Sequence, residues 1–201
     1  RDVQLMVGHI ERFNPVVQEI EERIGRDTVH LIGTVRVGPP IPSERADTGV
    51  ILDLAVHDID IIRYLTKSEF KKISAFTADR KSGIEESTML SFEMENGTLA
   101  YIIANRITPL KIRRIEATTA EKFILGDLIS QKVTEYSKGK LISQARRSAF
   151  VTEIDIPYME PLKLELKAFI NSLEKATKPP VSGEDGLKAL EIAIECMQQL
   201  R

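Results

Sequence analysis

The sequence predicts an α+β domain in which a largely antiparallel open sheet carries its helices on one face. After residue 71 the apolar residues change from a helical period to a period of two, and about seven short strands follow with short turns. Asn96-Gly97 is the dipeptide most typical of a tight hairpin. Helices expected at 15–24, 49–65 and 161–176 would cover the sheet, leaving its other face wet or available for association.

Composition narrows the class of protein. The chain has 201 residues, of which 42% are hydrophobic and 29% charged, with a formal net charge of −2. Matched acids and bases disfavour nucleic-acid binding, and we interpret the basic run of Lys111, Arg113 and Arg114 as solvated surface. The apolar runs are shorter than the ~20 residues of a membrane span, so no membrane partner is expected. The single Cys196 suits the reducing cytoplasm and is expected to be a small buried hydrophobe.

The first elements follow from local signals. Residues 3–13 alternate and predict a strand, which Asn14-Pro15 ends. Proline in the first turn and Gly25 as the stop define a helix over 15–24. Residues 28–37 are β-branched and alternating, which predicts a strand, and the proline-rich loop 38–47 leads into the helix at 49–65.

The remaining elements are mostly strands. They are predicted at 73–80, 88–95, 98–107, 112–119, 122–127, 132–136 and 151–156, with an irregular loop at 137–149. Ser182 begins a capping box for a final helix over 185–200. The apolar stripes expected to face the core are Leu162, Leu166, Phe169, Ile170 and Leu173 in the helix at 161–176, and Leu187, Leu190, Ile194 and Met197 in the final helix.

Residues 49–65, GVILDLAVHDIDIIRYL, form the one stretch where ionisable groups lie inside a strongly apolar run. At 3.6 residues per turn, Asp53, His57, Asp60 and Tyr64 fall on one stripe that must face a partner or a cavity. Asp53, one turn before His57, can accept its ring N–H and raise the basicity of the other nitrogen, as a general base requires. A hydrogen bond that only satisfies the core is the competing interpretation, although burying Asp58 as well would be costly.

The segment GVILDLAVHDID, taken with VGHIERFNP at residues 7–15, resembles the Gfo/Idh/MocA family of nicotinamide-dependent dehydrogenases, over nearly the whole chain. The resemblance implies the dihydrodipicolinate-reductase-like C-terminal domain of a two-domain dehydrogenase. Residues 1–14 would be the last strand of a truncated Rossmann domain, and 15–201 a substrate-binding and oligomerisation domain. The resemblance also implies that His57 is the catalytic acid/base and that Asp53 orients the His57 side chain.

The resemblance extends to the surroundings of the site. Arg12 and Asn14 would border the nicotinamide and substrate cleft, although capping of the helix at 15–24 is the alternative role for Asn14. Arg12, Asp60 and Tyr64 are candidate substrate contacts. Arg45, in the proline-rich loop, is a candidate anion contact, although an exposed loop arginine usually has no such role.

The sequence departs from the family because it contains neither a G-x-G-x-x-G fingerprint nor a Glu-Lys-Pro motif. With Arg as residue 1, we expect a fragment of a longer parent in which NAD or NADP is bound mainly by a missing N-terminal domain. The fragment alone is expected to be inactive. The parent would oxidise a hydroxyl of a polyol, sugar, sugar nucleotide or cyclitol, as a homodimer or homotetramer formed through the sheet face. Residues 124–136 weakly resemble members that act on nucleotide sugars.

Two other functions remain open at this stage. The chain could be a non-catalytic binding or assembly module that uses its open sheet face. It could also be a metal hydrolase using His57 with Asp53, Asp58 and Asp60, but His9 and His30 lack the spacing of metal ligands, so no metal is expected.

Overall fold

A computed structural model describes residues 3–41, 48–81, 83–143 and 146–200. Within these ranges eight strands form one open sheet in the order β2-β3-β4-β1-β5-β6-β7-β8, and β1 and β4 are the parallel pair in an otherwise antiparallel ladder. The predicted α+β class and largely antiparallel sheet are confirmed. The strands are β1 Val29–Val37, β2 Phe70–Lys81, β3 Ile84–Met94, β4 Leu99–Asn105, β5 Ile112–Thr119, β6 Lys122–Asp127, β7 Lys132–Ser143 and β8 Arg146–Ile154.

The same ranges contain four α-helices, a 3₁₀ helix and a π-helical turn. They are α1 Pro15–Ile24, α2 Val56–Thr66, α3 Pro161–Glu174, α4 Gly183–Gln199, the 3₁₀ helix Ile10–Phe13 and the π turn Ile51–Ala55. Helix α1 packs on β6 and β7, α2 on β1 and β4, and α4 on β2 and α2. The core lies between these helices and the sheet, where Ile32, Ile59 and Ile102 are fully buried. None of the described helices is long and apolar enough to cross a membrane.

Several predicted boundaries are confirmed because strong local signals set them. Asn14 caps α1 by accepting from Val16 N–H at 3.1 Å, and Gly25 ends the helix with a positive φ of 55°. Ser182 and Asp185 form the capping box of α4. Asn96-Gly97 joins β3 to β4, with φ of 86° at Gly97.

The strand predicted at residues 3–13 is wrong. Residues 3–9 contain no strand, and the 3₁₀ helix Ile10–Phe13 follows them. Val7 N–H donates to the Val181 carbonyl at 3.1 Å, but no ladder of such bonds runs along the segment within the described residues. Alternation of apolar residues predicts an extended chain, and a strand additionally needs a neighbour to pair with.

The irregular loop predicted at 137–149 is also wrong for the residues described. Strands β7 and β8 continue through most of it as an antiparallel hairpin, with Ser137 opposite Phe150 and Lys138 opposite Ala149. Polar residues in a hairpin that extends beyond the core do not need an apolar alternation, so the sequence carries little strand signal there.

Helices α3 and α4 differ from the prediction in the faces that they bury. Helix α4 buries its small residues Ala189, Ala193 and Cys196 against α2 and β2, because small side chains allow a close approach. Helix α3 packs against the 3₁₀ helix and does not cover the sheet. The large residues expected in the core are 42–55% exposed: Leu162, Leu166, Ile170 and Leu173 in α3, and Leu187, Leu190 and Ile194 in α4.

Cys196 behaves as expected. Its thiol is free and fully buried. Burial raises the pKa of the thiol to about 12, so it stays protonated and unreactive near neutral pH.

Candidate functional site

The helical segment that carries His57 begins against a carboxylate from strand β3. Ile51 N–H donates to Glu85 Oε1 at 3.2 Å, and Glu85 is 6% exposed. A Cβ at residue 49 would overlap the Glu85 carboxylate, so any other residue there would displace the buried Glu85 side chain. The carboxylate also complements the positive end of the helix dipole. Gly49 therefore fixes where the segment begins and hence where His57 lies.

The first turn of this segment is π-helical, which changes the geometry predicted for Asp53. Val56 N–H bonds to the Ile51 carbonyl five residues back, and the wider turn alters the angle between Asp53 and His57. Asp53 Oδ2 lies 3.4 Å from Arg106 Nη1, and its side chain is 45% exposed. Within the described residues Asp53 is paired with Arg106, and no hydrogen bond joins it to His57. Turns of this kind recur at functional sites.

His57 instead has a histidine partner. Its Nδ1 lies 3.4 Å from His9 Nδ1, and the two rings meet edge to face with centroids 5.6 Å apart. His9 Nε2 lies 3.9 Å from Asp60 Oδ1 and makes no hydrogen bond within the described residues. The sequence analysis did not pair His9 with His57, although His9 lies inside the quoted VGHIERFNP segment.

Both imidazoles are held in the neutral form. Burial lowers the pKa of His57, and the positive charge of Arg36 lowers it further. Burial also lowers the pKa of His9, an effect that the charge of Asp60 only partly offsets. A neutral imidazole near pH 7 is the form that can accept a proton.

A buried ion cluster lies beside His57. Arg36 on β1 binds Asp58 with Nε at 2.7 Å and Nη2 at 3.0 Å, and binds Glu11 with Nη1 at 2.9 Å. Burial alone would lower the pKa of Arg36, but the charges of Asp58 and Glu11 raise it. The buried Asp58 is thus the partner of Arg36. The sequence analysis missed Arg36, whose signal is an arginine inside the apolar strand VHLIGTVRV.

Three predicted substrate contacts are brought together, but they bind one another or other residues of the chain. Arg12 binds the fully buried Asp60 through Nε at 2.7 Å and Nη2 at 2.6 Å, and its Nη2 also lies 3.3 Å from Asp185. Tyr64 donates its hydroxyl to Glu21, and Arg12 lies over its ring at 5.1 Å. Arg12 and Tyr64 line a cavity of about 420 Å³ to which α3 also contributes lining residues.

The residues predicted to border the cofactor, Arg12 and Asn14, are bound to other residues of this chain. Asn14 is 2% exposed, and besides capping α1 it donates to Glu11 at 3.2 Å and to the Leu128 carbonyl at 3.1 Å. The guanidinium of Arg12 is taken by two carboxylates. Neither residue belongs to a glycine-rich phosphate turn, which the sequence does not contain. Arg45 lies outside the described residues.

A second cavity, of about 310 Å³, lies at the C-terminal ends of β1 and β4. Asp53, Lys111 and Arg113 lie on its wall, and Lys111 is also exposed, in keeping with its interpretation as solvated surface. Its charged lining residues are Arg36, Asp53, Arg106, Lys111 and Arg113. Across the described part of the chain, no three His, Cys, Asp or Glu side chains are grouped to hold a metal ion.

Comparison with known proteins places this geometry in a family. Residues 25–122 match the family model of the GFO/IDH/MocA C-terminal domain. The UDP-N-acetylglucosamine 3-dehydrogenase of Acidithiobacillus ferrooxidans is 23% identical over 97% of this chain and 62% of its own length. The myo-inositol 2-dehydrogenase of Thermotoga maritima is 25% identical over 99% of this chain and 63% of its own.

Solved structures show the same fold. The structure of the Acidithiobacillus ferrooxidans enzyme superposes with a TM-score of 0.90 at 22% identity, covering 98% of this chain and 63% of that one. Levoglucosan dehydrogenase, solved with NADH and L-sorbose, superposes with a TM-score of 0.78 at 16% identity, covering 100% and 65%. The chain spans about three fifths of the length of the curated relatives that it matches over its whole extent. The resemblance seen in the motifs is confirmed to this extent: residues 25–122 of this chain match a C-terminal domain of the Gfo/Idh/MocA family.

Proposed function

We propose that this chain is the substrate-binding part of an NAD(P)-dependent oxidoreductase that acts on a hydroxyl of a sugar, sugar nucleotide or cyclitol, with His57 as the acid/base. The relatives named above support this class, since their names describe dehydrogenases of a nucleotide sugar, a cyclitol and an anhydrosugar. The activity and a cytoplasmic location belong to the whole protein in this proposal, and the 201 residues alone are expected to be inactive.

The pairing of His57 with His9 carries the proposal. The two Nδ1 atoms lie 3.4 Å apart, and a hydrogen bond between them needs the hydrogen on one nitrogen and a lone pair on the other. If His57 Nδ1 donates, His57 Nε2 is left unprotonated and able to take a proton from a substrate hydroxyl. His9 then carries its hydrogen on Nε2, on the side of Asp60. The negative charge of Asp60, 3.9 Å from His9 Nε2, favours hydrogen on that nitrogen and hence this tautomer, the role first expected of Asp53.

Asp53 keeps a place in the site. Its carboxylate is half exposed on the cavity wall and is anchored by Arg106. We propose that it accepts a hydrogen bond from a substrate hydroxyl. The hydride acceptor proposed for the whole protein is NAD or NADP, held by residues other than those described.

The domain boundaries remain a proposal as well. Residues 15–201 would form the substrate domain, and residues 1–14 would adjoin the nucleotide-binding part of the longer protein. The exposed apolar faces of α3 and α4 support this, because seven large apolar side chains on two adjacent segments favour burial against another domain.

A substitution in the full-length protein tests the acid/base role. His57→Asn is expected to lower kcat at least about 100-fold, because general acid–base catalysis contributes roughly 10²–10⁴. Its affinity for NADH, followed by cofactor fluorescence, should not change. His30→Asn, at an exposed histidine of β1, is the matched control. Equal losses of turnover and cofactor affinity, or an unchanged kcat, would contradict the assignment.

We also propose that the outer face of the sheet forms a homodimer or homotetramer. Leu31, Phe76, Met89 and Leu99 are 37–56% exposed there. The ring of Tyr101 lies where a Cβ on Gly33 would be, and its hydroxyl donates to Glu116, which orders this face. Phe76→Asp with Met89→Asp should release monomers in sedimentation velocity, and an unchanged mass would contradict the proposal. A non-catalytic assembly module would keep this interface and show no effect of His57→Asn on any activity.

A further inference from the structure

We propose that the 310 Å³ cavity binds a phosphoryl group of the substrate, so that the substrate is a sugar phosphate or a nucleoside-diphosphate sugar and not a neutral polyol. The inference deepens the proposed function and rests on it for the reaction, but the binding itself can be measured separately. Four cationic side chains line the cavity: Arg36, Arg106, Lys111 and Arg113.

Strand register explains why these cations converge. Arg36 on β1 lies directly opposite Arg113 on β5, an arrangement of like charges that is unfavourable without an anion between them. Glu11 supplies part of that charge, binding Arg36 at 2.9 Å and Arg113 at 3.2 Å. Because side chains alternate along a strand, Lys111 and Arg113 share the cavity side, whereas Arg114, opposite Val35, projects from the other face.

Apart from Asp53, which pairs with Arg106, the carboxylates that neutralise these cations are not at the cavity wall. Asp58 and Glu11 bind Arg36, and Glu86 binds Arg106 Nε at 3.1 Å, yet none of the three lines the cavity. Asp53 is the single acidic residue among the described lining residues. The wall therefore presents positive charge to the cavity, with the compensating negative charge behind it.

Two of the cations are at least partly exposed and not fully paired with carboxylates, so they can bind a ligand. Arg113 is 30% exposed and shares Glu11 with Arg36. Lys111 is exposed and has no carboxylate within ion-pair distance in the described part of the chain. Guanidinium and ammonium groups are the usual partners of phosphate, which offers several acceptor oxygens to them at once.

The position of the cavity suits the proposed chemistry. Asp53 and Leu54 on its wall lie one turn before His57. Arg36 lines the same cavity, and its charge is the second cause, next to burial, that lowers the pKa of His57. A volume of about 310 Å³ is near the lower end for ligand pockets, enough for a phosphoryl group and an attached sugar ring. A phosphoryl group bound by Lys111 and Arg113 would hold that ring beside Asp53 and His57.

The test is a calorimetric titration of the chain with glucose 1-phosphate and with glucose, which differ by the phosphoryl group. Glucose 1-phosphate should bind at least tenfold more tightly, and more weakly as salt is raised. Lys111→Gln and Arg113→Gln should each weaken it about tenfold, because a hydrogen bond to a charged group contributes about that factor or more. Arg114→Gln makes the same charge change on the opposite face and should have no effect.

Further arms identify the source of the phosphoryl group. UDP-glucose binding more tightly than glucose 1-phosphate would assign a nucleoside-diphosphate sugar, and equal or weaker binding a sugar phosphate. Equal binding of glucose and glucose 1-phosphate, binding of neither, or equal losses in Arg114→Gln and Arg113→Gln would overturn the proposal. Inorganic phosphate binding as tightly as both phosphorylated sugars would mean an adventitious ion only, and would also overturn it.

The two proposals fail in distinguishable ways. A full-length protein that oxidises a neutral polyol through His57, without phosphoryl binding, would overturn the phosphoryl site and keep the proposed function. Phosphoryl binding that Lys111→Gln weakens, in a protein whose turnover ignores His57→Asn, would do the reverse.

Discussion

Two cavities border the helical segment that carries His57, and both contain arginine, but their charges are used differently. In the 420 Å³ cavity Arg12 is held by Asp60 at 2.6 Å and by Asp185 at 3.3 Å, and the Tyr64 hydroxyl is donated to Glu21. In the 310 Å³ cavity Lys111 has no carboxylate partner among the described residues, and Arg113 shares Glu11. The difference teaches that the pairing of a charged residue, more than its type, separates a structural group from one that can bind a ligand.

Removing a partner from the fully paired cluster should have the largest effect on stability. Asp60→Ala leaves the Arg12 guanidinium, whose side chain is 9% exposed, without its bidentate partner. Breaking a buried pair in this way costs about 3–5 kcal/mol, which urea unfolding would measure as a lower free energy of unfolding. Glu121→Ala, in an exposed pair with Lys138, is the control and should change little. If Asp60→Ala and Glu121→Ala lowered the free energy of unfolding equally, the distinction between buried, paired charges and exposed charges would be contradicted.

The start of the His57 segment should be the next most sensitive position. Gly49→Ala puts a Cβ onto the Glu85 carboxylate and should lower the free energy of unfolding by about 1–3 kcal/mol. Gly38→Ala is the matched control, because a Cβ there meets nothing within 4 Å. Adding Glu85→Ala to Gly49→Ala should recover part of the loss by removing the overlap. No difference between Gly49→Ala and Gly38→Ala would show that the overlap does not fix the helix.

The histidine pair should make stability depend on pH. His9 and His57 both have folded pKa values below their ordinary 6.5, so the unfolded chain binds more protons just below that pH. The free energy of unfolding should therefore be fully retained above pH 6.5 and should fall as the pH drops through 6.5. The groups facing them are Asp60, Arg12, Asp185 and Arg63 for His9, and Arg36, Asp58 and Glu11 for His57.

Removing the pair should flatten that dependence. In His9→Gln with His57→Gln the fall between pH 6.5 and 5.5 should shrink, whereas His30→Gln at an exposed position should leave it as it is. A slope that is unchanged in the double variant would assign the pH dependence to other groups.

The smallest expected effect is on the thiol. Cys196 is fully buried with a pKa of about 12, so the folded chain should react with a thiol reagent at pH 8 far more slowly than the unfolded chain. Equal labelling with and without denaturant would show that α4 does not stay packed against α2 and β2.

The sequence predicted what local chemistry decides. Pro15 and Gly25 bound α1, Ser182 caps α4, and Asn96-Gly97 turns between β3 and β4, each through contacts within a few residues. It also placed His57 on a helix that is largely buried.

The remaining features depend on residues far apart in the chain. The π turn between Asp53 and His57 begins at Ile51, whose N–H donates to Glu85 on β3, 34 residues away. The partner of His57 is His9, 48 residues away. Helix α4 has one apolar face of large residues and one of small residues, and the face of small residues at Ala189 is buried against α2. Periodicity gives the faces of an element, but which face is buried depends on what the rest of the chain brings to it.

The tautomer of His57 tests the central claim most directly. Nitrogen-15 NMR of the imidazole rings at pH 7.5 should show hydrogen on His57 Nδ1 and a bare Nε2, and His9→Phe should release that preference. Hydrogen on His57 Nε2 in the wild-type chain, or the same tautomer in His9→Phe, would contradict the role given to His9 and to His57 as the base.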